Sequence, residues 1–171
     1  MKKNISVLIF FCFTAMAIGQ NKFAEKITGS GNAMATSIMN KDYAALIQYT
    51  YPKIIELMGG EENLISTVSQ GMRTMEEGGI KFSEIRIGTP GKIFKAGEEL
   101  HCLVPQKITL TNHEGKVKAS SYLLAISTNK GESWYFLDTA QLNEQNATEI
   151  FPDFNGNLKI PAKVAPEFVP N

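Results

Sequence analysis

EELHCLVPQKITLTNHEGKVKASSYLLAISTNKGESWYFLD, residues 98–138, decides the fold. Three runs with a two-residue period, at about 98–111, 117–128 and 132–138, are separated by two clusters of turn-forming residues. Asn112-His113-Glu114-Gly115 and Thr128-Asn129-Lys130-Gly131 have hairpin composition, so the strands are expected to form an antiparallel meander. If Gly115 and Gly131 close three-residue loops in the left-handed conformation, Asn112 pairs with Lys116 and Thr128 with Glu132.

Three rows across the strands follow from that register. Cys102, Ile126 and Trp134 form the first, Val104, Leu124 and Phe136 the second, and Gln106, Tyr122 and Asp138 the third. Paired residues share a face, so the first two rows make an apolar surface suited to meeting helices. The third sets an amide, a phenol and a carboxylate beside it, on strands about 4.8 Å apart. With loops of two or four residues Ser121 takes the place of Tyr122, while Gln106 and Asp138 still share a row.

Upstream of the meander, Ile80 and Phe82 followed by Ile85 and Ile87 read as a strand with a bulge at Ser83-Glu84, and a short strand is expected around Ile93. Before Ile80 the period is helical. Phe23, Ile27, Met34 and Ile38 predict a helix over 22–39, weakened or divided at Gly29-Ser30-Gly31. Asn40 is expected to cap a second helix carrying Tyr43, Leu46 and Ile47, which Pro52 breaks or restarts. Ile54, Ile55 and Met58 mark a short third helix ended by Gly59-Gly60. Glu61-Glu62 open a fourth, with Leu64, Ile65, Val68, Met72 and Met75 as its stripe and Gly78-Gly79 as its stop. Helices first and strands afterwards predict an α+β fold, with N-terminal helices packed on a curved antiparallel sheet.

The N-terminus has the parts of a secretory signal peptide over residues 1–19: Lys2 and Lys3, an apolar run from Ile5 to Phe13, and small residues Ala17 and Gly19 before the expected cut. The run is too short to span a bilayer, which needs about 20 apolar residues. The expectation is export to the periplasm or the extracellular space, with no membrane attachment after cleavage. Cleavage leaves about 152 residues, one domain's worth, with 15 basic against 17 acidic side chains. That balance supplies no field for nucleic acid. Cys12 leaves with the signal, so Cys102 is the one thiol of the mature chain; its place in a strand pattern reads as a small buried hydrophobe, against a nucleophile or an intermolecular bridge. The domain is expected over 20–140, and 141–171 reads as a short helix near 143–150 followed by a proline-containing tail, lying over the domain or disordered.

Asn40-Lys41-Asp42-Tyr43, Thr50-Tyr51-Pro52, Met58-Gly59-Gly60 and the strand Ser133-Trp134-Tyr135-Phe136-Leu137-Asp138 carry a resemblance spanning roughly 22–140. The chain resembles the nuclear transport factor 2-like superfamily, with its SnoaL-like and ketosteroid isomerase-like members, and also small exported bacterial proteins of unassigned function. The resemblance implies a cone in which helices close the concave face of a bent sheet around a pocket. Some members use that pocket for isomerase, dehydratase or cyclase chemistry; many others bind or assemble, commonly as dimers.

No zinc, phosphate-loop or nucleophile-elbow motif occurs, so neither metal nor cofactor is expected. The candidate ligand-binding residues are Gln106, Tyr122, Asp138 and Trp134. Asp138 as general acid or base and Tyr122 as donor to a substrate oxygen are the catalytic candidates, against a plain reading in which Asp138 caps the Thr139-Ala140 turn. His101 is expected on the opposite face with Leu103 and Tyr135, where a second copy could cover it. Tyr43, Tyr49 and Tyr51 read as aromatic packing. Asn146-Ala147-Thr148 and Asp138-Thr139-Ala140 fit short glycan-acceptor patterns. The leading functional expectation is non-catalytic binding of a small apolar or amphipathic molecule, or of a protein partner, between helices and sheet. The alternatives are a cofactor-free isomerase or lyase and a dimeric assembly module.

Overall fold

Phe23, Ile27, Met34 and Ile38 lie on one side of a single helix, α1 (Cys12–Met39), and that side is the one that meets the sheet. The structure is a computed structural model that describes residues 12–142, 147 and 149–171. The first eleven residues of the expected signal peptide, and all but Ala147, Glu149 and Ile150 of the helix expected near 143–150, lie outside the described residues; those three are helical. Among the described residues no helix is long and apolar enough to cross a membrane.

The division expected at Gly29-Ser30-Gly31 does not occur, and α1 runs straight through. Gly31 serves close approach instead. A Cβ there would stand 3.0 Å from the Ile87 side chain and 3.5 Å from the Phe136 ring, so its absence lets the helix sit down on the sheet.

α2 (Tyr43–Ile47) is capped by Asp42, whose side chain accepts from Ala45 N, rather than by Asn40. The chain turns just before it at Lys41, where φ is +59°. Pro52 restarts the chain as the first residue of α3 (Pro52–Leu57), where its missing N–H costs nothing. Gly59 and Gly60, at φ +81° and +101°, separate it from α4 (Glu61–Glu77). The stripe of α4 is only half covered: Leu64 is its one buried residue.

The sheet is antiparallel and strongly curled, a half-barrel on which the N-terminal helices pack. Its central path is β1 (Lys81–Ile87), β3 (Glu99–Thr111), β4 (Gly115–Ser127) and β5 (Tyr135–Asp138). β2 (Phe94–Ala96) pairs with β3, and β6 (Glu167–Pro170) pairs with β4. The slip expected at Ser83 is present as a register shift between Phe82 and Glu84.

Both faces of the sheet are covered. α1 brings Ile27 and Met34 against Cys102, Val104, Leu123, Ala125, Trp134 and Phe136 on one face. On the other, Leu124 and Ile126 meet Tyr51, Leu142, Phe151 and Leu158. The second cover comes from Tyr51 and Ile54 at α3 together with the C-terminal segment, which ends as a strand.

Candidate functional site

Two turns set which residues share a face. Asn112 Oδ1 accepts from Glu114 N and Gly115 N at 3.0 and 2.9 Å, and Asn112 N donates to Gly115 O at 3.0 Å. This closes a four-residue turn pairing Thr111 with Lys116. Gly115 is not left-handed, unlike Gly131 at φ +86°.

The second connection is longer than its composition suggests. Ser127 Oγ accepts from Gly131 N at 2.8 Å, and Asn129 Oδ1 accepts from Ser133 N at 2.9 Å, holding Ser133 and Trp134 out of the strand. β5 therefore begins at Tyr135, opposite Ile126.

Each shift is one residue, and one residue reverses a strand's facing. Cys102 pairs with Ala125 and then Phe136; Val104 pairs with Leu123 and then Asp138; Gln106 pairs with Ser121. The expected rows containing Ile126, Leu124 and Tyr122 are thereby corrected: these three side chains face the C-terminal segment. Tyr122 pairs with Pro105.

Gln106 and Asp138 nonetheless meet, diagonally instead of in one row. Gln106 Nε2 donates to Asp138 Oδ2 at 2.9 Å and to Ser121 Oγ at 3.0 Å. Asp138 Oδ1 accepts from Ala140 N at 2.8 Å, capping the short 3-10 turn Thr139–Gln141. The carboxylate is thus engaged by protein donors at both oxygens. Thr139 Oγ1 donates to Tyr122 O at 2.8 Å and its side chain is buried, so the hydroxyl of the Asp138-Thr139-Ala140 pattern is not available as an acceptor.

Between α1 and the sheet the space expected for a ligand is largely taken by the α1-side core, and a smaller cavity of about 240 Å³ lies where α1, α4 and β1 meet, lined by Ile38, Met72, Met75 and Phe82. Trp134, placed among the ligand-binding candidates, is buried in that core edge-to-face with Phe23 at 6.2 Å between centroids. Cys102 is fully buried there, and burial pushes its thiol up to about 12.

A cavity of about 880 Å³ lies elsewhere, between β4 and the C-terminal segment. β4 pairs with β6 at Gly115–Lys118 and with β5 at Leu123–Ile126, which among the described residues leaves 119–122 without a strand partner on that edge. These four residues, with Asp138, Thr139 and Ala140, form one wall. Leu142, Phe154, Leu158 and Ile160 form the other. Of the four candidates the structure brings Tyr122 and Asp138 to the cavity, leaves Gln106 behind Asp138, and places Trp134 in the core.

His101 is buried, not at a surface. Its ring packs on Phe151 and Phe154 at 5.1 and 5.9 Å between centroids, and its Nε2 lies 2.9 Å from Glu99 Oε2. Tyr51 donates its hydroxyl to Glu99 Oε1 at 2.8 Å; burial and that carboxylate push the Tyr51 pKa above its ordinary value. The cover expected from a second copy is supplied here by the chain's own C-terminal segment. His113 is exposed in its turn. Asn146 and Thr148, of the other glycan pattern, lie outside the described residues.

The residues missed from sequence are those of the tail. A signal for them exists: Leu123-Leu124-Ala125-Ile126 is an unbroken apolar run, the mark of a strand buried on both faces, and something downstream had to supply the second cover. No protein-family model matches the chain, and no curated protein matches it.

Proposed function

We propose that this is an exported, non-catalytic binding domain whose ligand is a small amphipathic molecule seated between β4 and the C-terminal segment. One observation carries the reading: a cavity of about 880 Å³ with apolar side chains on the tail side and a few polar groups on the sheet side. That volume and that mixture are typical of small-molecule sites. Helices laid on one face of a curled antiparallel sheet also support kinship with the nuclear transport factor 2-like superfamily. The cavity, however, lies at the β4 edge beside the C-terminal segment and not under α1. Export rests on the N-terminal pattern of charge, apolar run and small residues.

Saturable binding of a neutral apolar dye such as Nile red tests the reading, with Ala140→Trp as the blocking variant, since Ala140 is an exposed part of the wall. The expected result is one binding event in the parent and at least a tenfold loss in the variant. A dye that does not saturate, or that binds both proteins equally, sinks the proposal.

A cofactor-free isomerase or lyase stands as the second reading, because Tyr122 and Asp138 share the cavity wall. It requires Asp138 to serve as acid or base while held by Gln106, Ser121 and Ala140 N, and we rank it below binding for that reason.

A further inference from the structure

We infer that the cavity between β4 and the C-terminal segment takes a single-chain fatty carboxylate, with the alkyl chain inside and the carboxylate at Lys159 and Lys163. This deepens the binding reading above and rests on it.

The inference comes from the charge carried by the wall. Among the described residues three ionisable acids and bases with formal charge line the cavity: Asp138, Lys159 and Lys163. Asp138 is committed to Gln106, Ser121 and Ala140 N within the fold. Lys159 and Lys163 are exposed, and among the described residues neither forms an ion pair with a carboxylate. Lining a cavity while staying exposed is the arrangement in which a lysine stem covers apolar surface and its ammonium stays in water. The two lysines bracket Ile160, Pro161 and Ala162, so the cationic groups flank an apolar stretch of the same wall.

Two cations and one committed anion leave one positive charge, which one monoanion neutralises. A dianionic head such as an alkyl phosphate leaves an excess of negative charge beside Asp138. A cationic head meets two like charges. Lysine is a point charge without the fork geometry that favours bidentate recognition, so selection among heads is by charge count. The apolar part supplies most of the affinity, at up to about fourfold per buried methylene.

The test is calorimetric titration of the protein, below micelle-forming concentrations, with dodecanoate, dodecyl phosphate, dodecanol and dodecyltrimethylammonium. Dodecanoate is expected to bind roughly five- to tenfold more tightly than dodecanol, the range two exposed charge pairs supply, and the preference is expected to shrink as salt rises. In the Lys159→Gln/Lys163→Gln double variant the dodecanoate-to-dodecanol ratio is expected to fall to about one. A ratio of one in the parent, or an unchanged ratio in the double variant, overturns the carboxylate assignment and leaves the cavity reading standing. Tighter binding of dodecyl phosphate than of dodecanoate overturns the choice of head group. Failure of all four probes to bind overturns the cavity reading itself.

Discussion

Cys102 shows how a single residue's chemistry follows from its neighbours. It is fully buried against α1, and burial lifts its thiol from an ordinary 9.0 to about 12. A folded-state pKa above the unfolded one means that the unfolded chain releases its proton first, so stability is complete below about pH 9 and declines as pH rises toward about 12. The urea midpoint is expected to fall across that window, and in Cys102→Ala, whatever its own stability, that part of the slope is expected to disappear. Asp138 is the second case. Replacing it by Ala removes the cap on Ala140 N and one acceptor of the buried Gln106 amide, and is expected to cost roughly 1–3 kcal/mol in denaturant unfolding. A loss under about 0.5 kcal/mol would show that this contact contributes little to the fold. That Gln106 and Asp138 share a face was legible in the sequence, and so was Ser121 beside Gln106 for a four-residue turn; that the two meet diagonally, not in one row, and that Tyr122 faces the other way depended on turn lengths.

Among the elements, the C-terminal segment is the one whose importance its composition hides. Phe151 packs on Tyr51 and His101 and is buried under the outer face of the sheet. Phe151→Ala is expected to destabilise by about 3–5 kcal/mol and to raise binding of an apolar dye by opening that face. A change below about 1 kcal/mol would mean that the segment rests on the sheet without holding it. α4 is at the other extreme. Leu64 is its only buried residue, and Leu57 beside it in α3 is 64 % exposed. Leu64→Ala is therefore expected to accelerate amide exchange throughout Glu61–Glu77 while exchange at Cys102 and Leu124 stays near the parent rate. Equal acceleration in both places would show that helix and sheet unfold as one unit.

At the scale of the molecule, a curled sheet is covered on one face by α1 and on the other by Leu142, Phe151 and Leu158 together with Tyr51, and the cavity lies where, among the described residues, β4 has no strand partner between β5 and β6. Such a site is made by a gap in the sheet and by the chain's end: β4 and residues 138–140 give one wall, and Leu142, Phe154, Leu158 and Ile160 close the other. What the sequence determined by itself was local. Helical and two-residue periods, Pro52, the paired glycines and the bulge at Ser83 act through backbone geometry within a few residues, and they located every long element and the α+β class. Register and cover were decided only by tertiary structure. In a strand apolar on both faces, as at Leu123-Leu124-Ala125-Ile126, the pattern reads the same after a slip of one residue, so the choice passed to backbone N–H hydrogen bonds accepted by the Asn112, Ser127 and Asn129 side chains in the turns. The tail's place over the outer face depended on surface that exists only once that register is set.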